Sequence, residues 1–294
     1  MLRIQRILAP VDFSERSPAA ARHAAALAHR FDSQLVLLHV IPSPPLELAG
    51  FEGGFYTARL GPPGEEALEH FTARLERLAE QASPGRPVEK VVREGDPARE
   101  IEEVAKETGA GLIVMPTHGY GPFRRFILGS VTAKVLHDLE CPVLTGAHVA
   151  EIPTGDPQPY HQVACAVDFS AHSEKVLRWA ADFASAWGAS LALIHAAPAL
   201  DVSGDAGQQM AGEWRSLLLR GAREHAAELL EKAGCQAEVF IDNAPVAKYV
   251  TAAAGAWGAD VLVIGRSVHH GLVGRLRGDA YALIRESPCA VLSV

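Results

Sequence analysis

The stretch Val11-Asp12-Phe13-Ser14 recurs 156 residues later as Val167-Asp168-Phe169-Ser170, so each half of the chain contains it once. Further along, Leu112-Ile113-Val114-Met115 corresponds to Val261-Leu262-Val263-Ile264, with an offset of 149 residues. An offset that shrinks along the chain is what short loop deletions leave after a duplication. The sequence therefore predicts two tandem copies of one fold.

Within each copy, short β-branched runs alternate with segments of helical periodicity. This alternation is typical of βα units around a mostly parallel sheet, and it predicts an α/β fold in two tandem domains. The predicted strands span residues 6–10, 34–40, 88–93, 111–115 and 142–145 in the first copy, and residues 162–167, 190–196, 237–241, 260–264 and 290–294 in the second. The predicted helices include residues 17–30, 64–82, 96–109, 130–139 and 213–233.

Two stretches rich in proline and glycine interrupt this pattern. Residues 42–63 form a predicted loop after the second strand, and residues 146–161 form a predicted interdomain linker. We accordingly place the first domain at residues 1–147 and the second at residues 160–294.

Length and composition narrow the class of protein. The chain has 294 residues, which is about two domains of ~150 residues. Its net charge is −8 and neither half is basic, so we expect no nucleic-acid partner. Apolar runs are too short to span a bilayer, and four cysteines without a CxxC pair fit a reducing compartment. We expect a cytoplasmic protein that has no membrane partner.

Parallel sheets bind ligands beyond the carboxyl ends of their strands, so the residues that follow each apolar run are the candidates for a site. Residues 116–122 contain two glycines, and Gly129-Ser130-Val131-Thr132 opens a helix. Glycines allow close backbone approach, and the free amides of a helix N-terminus favour an anion such as phosphate. The alternative is that the glycines serve a tight loop and Ser130 only caps a helix.

The combination of an Asp after the first strand, the run that ends in Thr117-His118-Gly119, and Gly129-Ser130 after nine intervening residues resembles the universal stress protein family. The resemblance covers both halves and implies two tandem doubly wound parallel-sheet domains, Rossmann-like, each with strand order 3-2-1-4-5. It also implies, as in many members, that ATP is held by a signature of Gly-x-x-Gly, nine residues, Gly-Ser/Thr. Here Gly119, Gly129 and Ser130 match that signature, and Pro116 occupies its first glycine.

The resemblance thus implies a site for ATP or another adenine nucleotide, with or without Mg²⁺, in the first domain. Asp12 would meet the adenosine part, and Val40 would present backbone groups to adenine. The full set of expected nucleotide-binding residues is Pro10, Val11, Asp12, Val40, Met115, Pro116, His118, Gly119, Gly129, Ser130, Val131 and Thr132.

Pro116 is the main departure from the signature, because proline removes an amide donor and adds a ring. Affinity falls if the nucleotide uses that amide or that space, and changes little if only the φ angle matters. Arg124 and Arg125 supply compensating charge in one interpretation and form a solvated face in the other.

The second copy departs further from the signature. Gly265 fills its first position, but Val268 replaces the second glycine and Gly278-Asp279 replaces Gly-Ser. A carboxylate at a helix start competes with phosphate for the same positive end. We therefore expect this copy's phosphate cradle to be closed and its role to be structural or regulatory.

Other candidate chemistry has simpler explanations. His39 and His195 end equivalent strands without a second metal ligand nearby in sequence, so we interpret them as hydrogen-bonded structural residues. Cys141 and Cys289 are interpreted as small buried residues. The sequence contains no Walker-type motif and no recognisable catalytic constellation, so at most slow ATP hydrolysis is expected.

Two function classes remain open. One is a nucleotide-binding stress-response regulator, and the other is a stress-response scaffold that binds partner proteins without a nucleotide. In both, the short last strands at residues 142–145 and 290–294 would be exposed edges in isolated domains. We predict that they pair with each other in an internal pseudo-dimer, and further homo-oligomerisation is left open.

Overall fold

The computed structural model describes residues 2–42, 64–117, 128–146, 149, 159–198, 205–266 and 278–294. The strands are β1 (Arg6–Pro10), β2 (Gln34–Pro42), β3 (Val88–Gly95), β4 (Leu112–Val114), β5 (Val143–Thr145), β6 (Gln162–Ala166), β7 (Ser190–Ala197), β8 (Glu238–Asn243), β9 (Val261–Ile264) and β10 (Ala290–Ser293). The helices are α1 (Ser17–Phe31), α2 (Glu65–Ala82), α3 (Pro97–Thr108), α4 (Ser130–Asp138), α5 (Ser173–Trp187), α6 (Asp205–Ala233), α7 (Val246–Trp257) and α8 (Gly278–Glu286).

All ten strands join one sheet in the order β3-β2-β1-β4-β5-β10-β9-β6-β7-β8. Each half therefore has its own strands in the order 3-2-1-4-5, and within each half every strand pair is parallel. This confirms the predicted doubly wound fold and its strand order.

The halves meet where β5 pairs with β10 in the antiparallel sense. Leu144 lies opposite Leu292, and both side chains are almost fully buried. Gly146 follows β5 with φ +143°, and a Cβ there would lie 3.3 Å from the Cα of Ala290, so β10 approaches too closely for a side chain. The predicted pairing of the two last strands is confirmed.

Two apolar cores cover the two faces of this sheet and run through both halves. One core holds α1, α2, α5 and α6, and the other holds α3, α4, α7 and α8. Phe31, Tyr160, Phe183 and Trp187 extend the first core across the junction, with Tyr160 and Phe183 ring centroids 5.0 Å apart. Burial on both faces explains why the strands are apolar runs rather than alternating ones.

Local sequence signals set several helix ends. The Asp96 side chain accepts a hydrogen bond from the amide of Arg99 at the start of α3, Pro97 takes the first turn, and Gly109 ends the helix at φ +63°. The prediction that α6 begins at Glu213 is wrong, because this helix begins at Asp205 and continues through Gly212. Glycine costs a helix only about 1 kcal/mol, too little to end a long one.

The predicted linker is anchored at residues that the composition did not single out. Tyr160 is fully buried, and its hydroxyl lies 2.6 Å from Nε2 of His23 in α1. Nδ1 of His23 lies 3.2 Å from the carbonyl oxygen of Val149. Because that carbonyl only accepts, Nδ1 carries the proton and Nε2 accepts from Tyr160. Parts of residues 146–161 thus belong to the core.

Candidate functional site

Neighbouring strands bring the predicted site residues to one edge of the sheet. Leu8 of β1 pairs with Ile113 of β4, so Asp12 and Pro116, which follow these strands, lie at the same edge. The N-terminus of α4 is fixed there by two hydrogen bonds. The amide of Gly129 donates to the carbonyl of Thr117 at 2.9 Å, and the hydroxyl of Thr132 donates to the carbonyl of Pro116 at 3.2 Å.

The first turn of α4 presents donors at this edge. Gly129 precedes the helix with extended dihedral angles, no side chain among the described residues caps the helix, and its first turn contains no acidic residue. Helix geometry leaves the first-turn amides of Ser130, Val131 and Thr132 without helical acceptors. Ser130 is exposed, whereas Thr132 is buried and its hydroxyl is already used. This turn can therefore bind an anion through amides and the Ser130 hydroxyl.

Asp12 is exposed at the same edge and also shapes the turn after β1. One of its carboxylate oxygens accepts from the amide of Ser14 at 2.9 Å and from the hydroxyl of Ser17 at 2.7 Å. Phe13 has φ +58°, an unusual value for a residue with a side chain. The turn thus holds the Asp12 carboxylate in place at the sheet edge, where an exposed carboxylate can accept hydrogen bonds from hydroxyl donors.

The second half reproduces this turn. Asp168 accepts from the amide of Ser170 and the hydroxyl of Ser173, and Phe169 has φ +57°. Burial opposes ionisation of Asp168, but these hydrogen bonds outweigh it and lower the pKa of its carboxyl group. A structural role is therefore established for the aspartate of both turns, whatever ligand each contacts.

His39 and His195 are hydrogen-bonded structural residues, as predicted. Nδ1 of His39 lies 2.8 Å from the carbonyl oxygen of Val11, and Nδ1 of His195 lies 2.9 Å from that of Val167. Burial lowers the pKa of both imidazoles. For His39, the positive charge of Arg74 lowers it further, and the Arg74 guanidinium lies 4.0 Å from the centre of the Phe13 ring.

Other predicted residues divide into those that the structure places and those outside it. Pro10 and Pro116 are half-buried at the edge, and Met115 is buried beside them. Val40 lies inside β2 opposite Arg93, not at a strand end, because β2 and β3 continue together to Pro42 and Gly95. The predictions for His118, Gly119, Arg124, Arg125 and Val268 concern positions outside the described residues.

The equivalent edge of the second half holds a cavity of about 470 Å³. The expectation that the phosphate cradle of this half is closed depends partly on Val268, which lies outside the described residues, and it stays a prediction. Apolar side chains of α5, α7 and α8 form much of its wall because small residues such as Ala166 and Gly265 end the strands there. Asp279 lies exposed in the first turn of α8, whereas the first turn of α4 contains no acidic residue. The second half therefore has space at its strand ends, but the carboxylate of Asp279 places a negative charge at the N-terminus of α8 beside that space.

Among the described residues, no group of three or more His, Cys, Asp or Glu side chains is arranged to hold a metal ion. All four cysteines are free, and burial raises the pKa of Cys141 to about 12 and of Cys289 to about 11. Thiols with such pKa values are protonated at neutral pH and are poor nucleophiles. Cys289 is buried, as predicted, whereas Cys141 is half-buried.

Sequence reasoning missed two residues near these sites. His23 anchors the connection between the halves, and Arg266 joins the second cavity to α4 of the first half. Arg266 follows a strand of the repeat, which was a usable signal, since Thr117 takes the equivalent position in the first copy.

Comparison with known proteins identifies the family. The sequence model of the universal stress protein family matches residues 3–145 and again residues 159–294. A universal stress protein of Methanocaldococcus jannaschii is 34% identical over 142 residues, covering 48% of this chain and 80% of the relative. A second one from that organism is 29% identical over 154 residues, covering 48% and 93%.

Solved structures agree in fold over the full length. A universal stress protein from Archaeoglobus fulgidus superimposes with a TM-score of 0.64 at 22% identity, covering 99% of this chain and 96% of that one. The protein PA1789 from Pseudomonas aeruginosa gives a TM-score of 0.66 at 20% identity, covering 99% and 92%. Within the described residues, no helix is long and apolar enough to cross a membrane. The chain belongs to the universal stress protein family and carries the fold of that family twice.

Proposed function

We propose that the first half, residues 1–147, binds an adenine nucleotide and that residues 160–294 form a second domain that does not bind the phosphates. The phosphates would lie at the first turn of α4, against the amides of Ser130, Val131 and Thr132 and the Ser130 hydroxyl. Asp12 would accept hydrogen bonds from the ribose hydroxyls. In this function the protein is a stress-response module in the cytoplasm whose nucleotide occupancy alters a contact with a partner protein.

The observation that carries the proposal is the contrast between two equivalent helices. The first turn of α4 contains no acidic residue and is fixed at the sheet edge by Gly129 and Thr132. The first turn of α8 contains Asp279. A helix N-terminus attracts phosphate, and a carboxylate there repels it. The two halves are thus suited to different ligands.

A charge substitution at the same place tests the site. Ser130→Asp copies the second half into the first, and we expect it to weaken ATP binding at least tenfold, measured by titration calorimetry. Binding of adenosine, which lacks phosphates, should change less than twofold. Ser216→Asp, at an exposed serine of α6, is the matched control. Unchanged ATP affinity in Ser130→Asp would show that the phosphates do not bind at the first turn of α4.

Pro116 favours the second candidate function, a scaffold that works without a nucleotide. The ring of this residue stands where the signature has glycine, and its carbonyl accepts from Thr132. A purified protein that contains no adenine nucleotide by mass spectrometry, and that binds none at millimolar concentration, would support this candidate. In that case Pro116→Gly should restore binding if the ring is the obstacle.

A further inference from the structure

Arg266 is a buried cation that the proposed nucleotide site does not use. It lies two residues after the end of β9, the residue is only 8% exposed, and its main-chain amide donates to the carbonyl of Val294 at 2.9 Å. Burying a charged group is costly unless hydrogen bonds compensate it. The partners of the guanidinium group therefore show what the residue does.

Those partners lie in the other half of the chain. The guanidinium donates to the carbonyls of Leu136 at 3.2 Å and Leu139 at 2.8 Å, and also to the carbonyl of Cys141. Leu136 is in the last turn of α4, and Leu139 and Cys141 follow that helix. The last carbonyls of a helix lack helical donors and form its negative end, so Arg266 caps the C-terminus of α4.

The antiparallel junction makes this contact possible. Because β10 runs opposite to β5, the carboxyl edge of the second half adjoins the amino edge of the first, where α4 ends and β5 begins. Burial lowers the pKa of Arg266 to about 10, which leaves it positively charged at neutral pH. The equivalent residue of the first half is Thr117, whose side chain is much shorter and carries no guanidinium group.

We propose that Arg266 is a positioning residue for the phosphate-binding end of α4, so that nucleotide affinity in the first half depends on a side chain from the second. This inference rests on the proposed function. A helix of nine residues is marginal without tertiary contacts and frays at an uncapped end. Arg266 fixes the end of α4 opposite to the amides that would hold the phosphates. Arg266 also lines the cavity of the second half, so it connects that cavity to the C-terminal end of α4.

The test compares two ligands that differ only in phosphate. Arg266→Met keeps an unbranched apolar chain and removes the donors, and Arg266→Lys keeps the charge with fewer donors. We expect Arg266→Met to weaken ATP binding at least fivefold and adenosine binding less than twofold, with Arg266→Lys between wild type and Arg266→Met. Arg285→Met, at an exposed arginine of α8, is the control and should match wild type.

Hydrogen exchange gives a second readout that needs no ligand. The amides of residues 133–139, which donate hydrogen bonds within α4 from Ala133 onward, should exchange faster in Arg266→Met than in wild type. If Arg266→Met loses ATP and adenosine affinity equally, Arg266 stabilises the protein in general and the proposal is wrong. The proposal is also wrong if the α4 amides of Arg266→Met exchange at the wild-type rate. A wild-type protein that binds no ATP while exchange at α4 still responds to Arg266→Met would defeat the proposed function but not the role of Arg266 in holding α4.

Discussion

The hydroxyl of Tyr160 donates a hydrogen bond to Nε2 of His23 across 2.6 Å, in a region where both side chains are buried. This bond joins the segment between the two halves to α1 of the first half. It also requires a neutral imidazole, because Nδ1 already donates to Val149. Burial lowers the pKa of His23 to about 4.

Stability should therefore fall in mild acid. The folded pKa of about 4 lies below the unfolded value of 6.5, so the unfolded chain binds the proton first as the pH falls. The contribution of a neutral His23 is complete above pH 6.5 and is lost toward pH 4, about 3 kcal/mol in all. Urea unfolding at pH 7, 5.5 and 4.5 measures this loss of unfolding free energy.

The matched variants separate this histidine from the others. His23→Gln should show a shallower decline of unfolding free energy with falling pH than wild type. His29→Gln, at an exposed position of the same helix, should retain the wild-type decline. Equal slopes in wild type and His23→Gln would contradict the assignment.

The junction of the two halves should not tolerate charge. Leu144 and Leu292 face each other in the β5–β10 pair and are at most 1% exposed. Leu144→Asp combined with Leu292→Asp places two like charges in the core, and the melting temperature should fall by about 10 °C or more. Leu217→Asp, at a leucine that is 55% exposed, is the control for calorimetry. An unchanged melting curve for the double variant would argue against the pairing.

Asp96 should stabilise the protein mainly as a helix cap. Its carboxylate accepts from the amide of Arg99 and pairs with Lys134 of α4 at 3.0 Å, and the bond from Lys134 is the largest cause of its lowered pKa. Asp96→Ala should cost about 1 kcal/mol of unfolding free energy, and Asp96→Asn, which keeps the cap, less than half of that. If urea unfolding shows that Asp96→Ala and Asp96→Asn lose the same unfolding free energy, the exposed ion pair with Lys134 is responsible and not the helix cap.

The cavity of the second half should gain a ligand when its negative charge is removed. In Asp279→Ser, the first turn of α8 becomes like that of α4, and the existing space of about 470 Å³ is large enough for a nucleoside. Calorimetric titration with ATP should then give about two sites per chain instead of one. If the stoichiometry stays at one, residues other than Asp279 exclude the nucleotide from this half.

The repeat and the apolar runs were sufficient to predict two α/β copies with buried parallel strands, because pattern and burial determine each other in parallel sheets. The strand order came from the resemblance to the family, and the β5–β10 junction came from the exposed last strands together with that resemblance. The turn aspartates and the open N-terminus of α4 were also visible in the sequence. The position of Arg266 after a strand of the repeat was visible too, but its role was not, because its partners are carbonyl groups 125 to 130 residues away. Such a contact depends on which edges of the two half-sheets the β5–β10 pair brings together. Its acceptors are main-chain carbonyls, which every residue has, so residue types do not reveal them.

The anchoring of Tyr160 was missed for a related reason. Proline-rich segments lack periodicity, so their composition predicts a linker and cannot reveal which residue enters the core. His23 lies on an alanine-rich helix, where a polar residue suggests exposure until its partners 126 and 137 residues away are known.

The fusion of both copies into one chain removes a restriction that an assembly of identical subunits cannot escape. In a homodimer every substitution occurs twice, so an arginine that reaches into a neighbour would alter both clefts at once. Here Thr117 and Arg266 occupy equivalent positions with different side chains. Covalent linkage therefore lets one copy specialise in serving the other, at a fixed ratio of one to one.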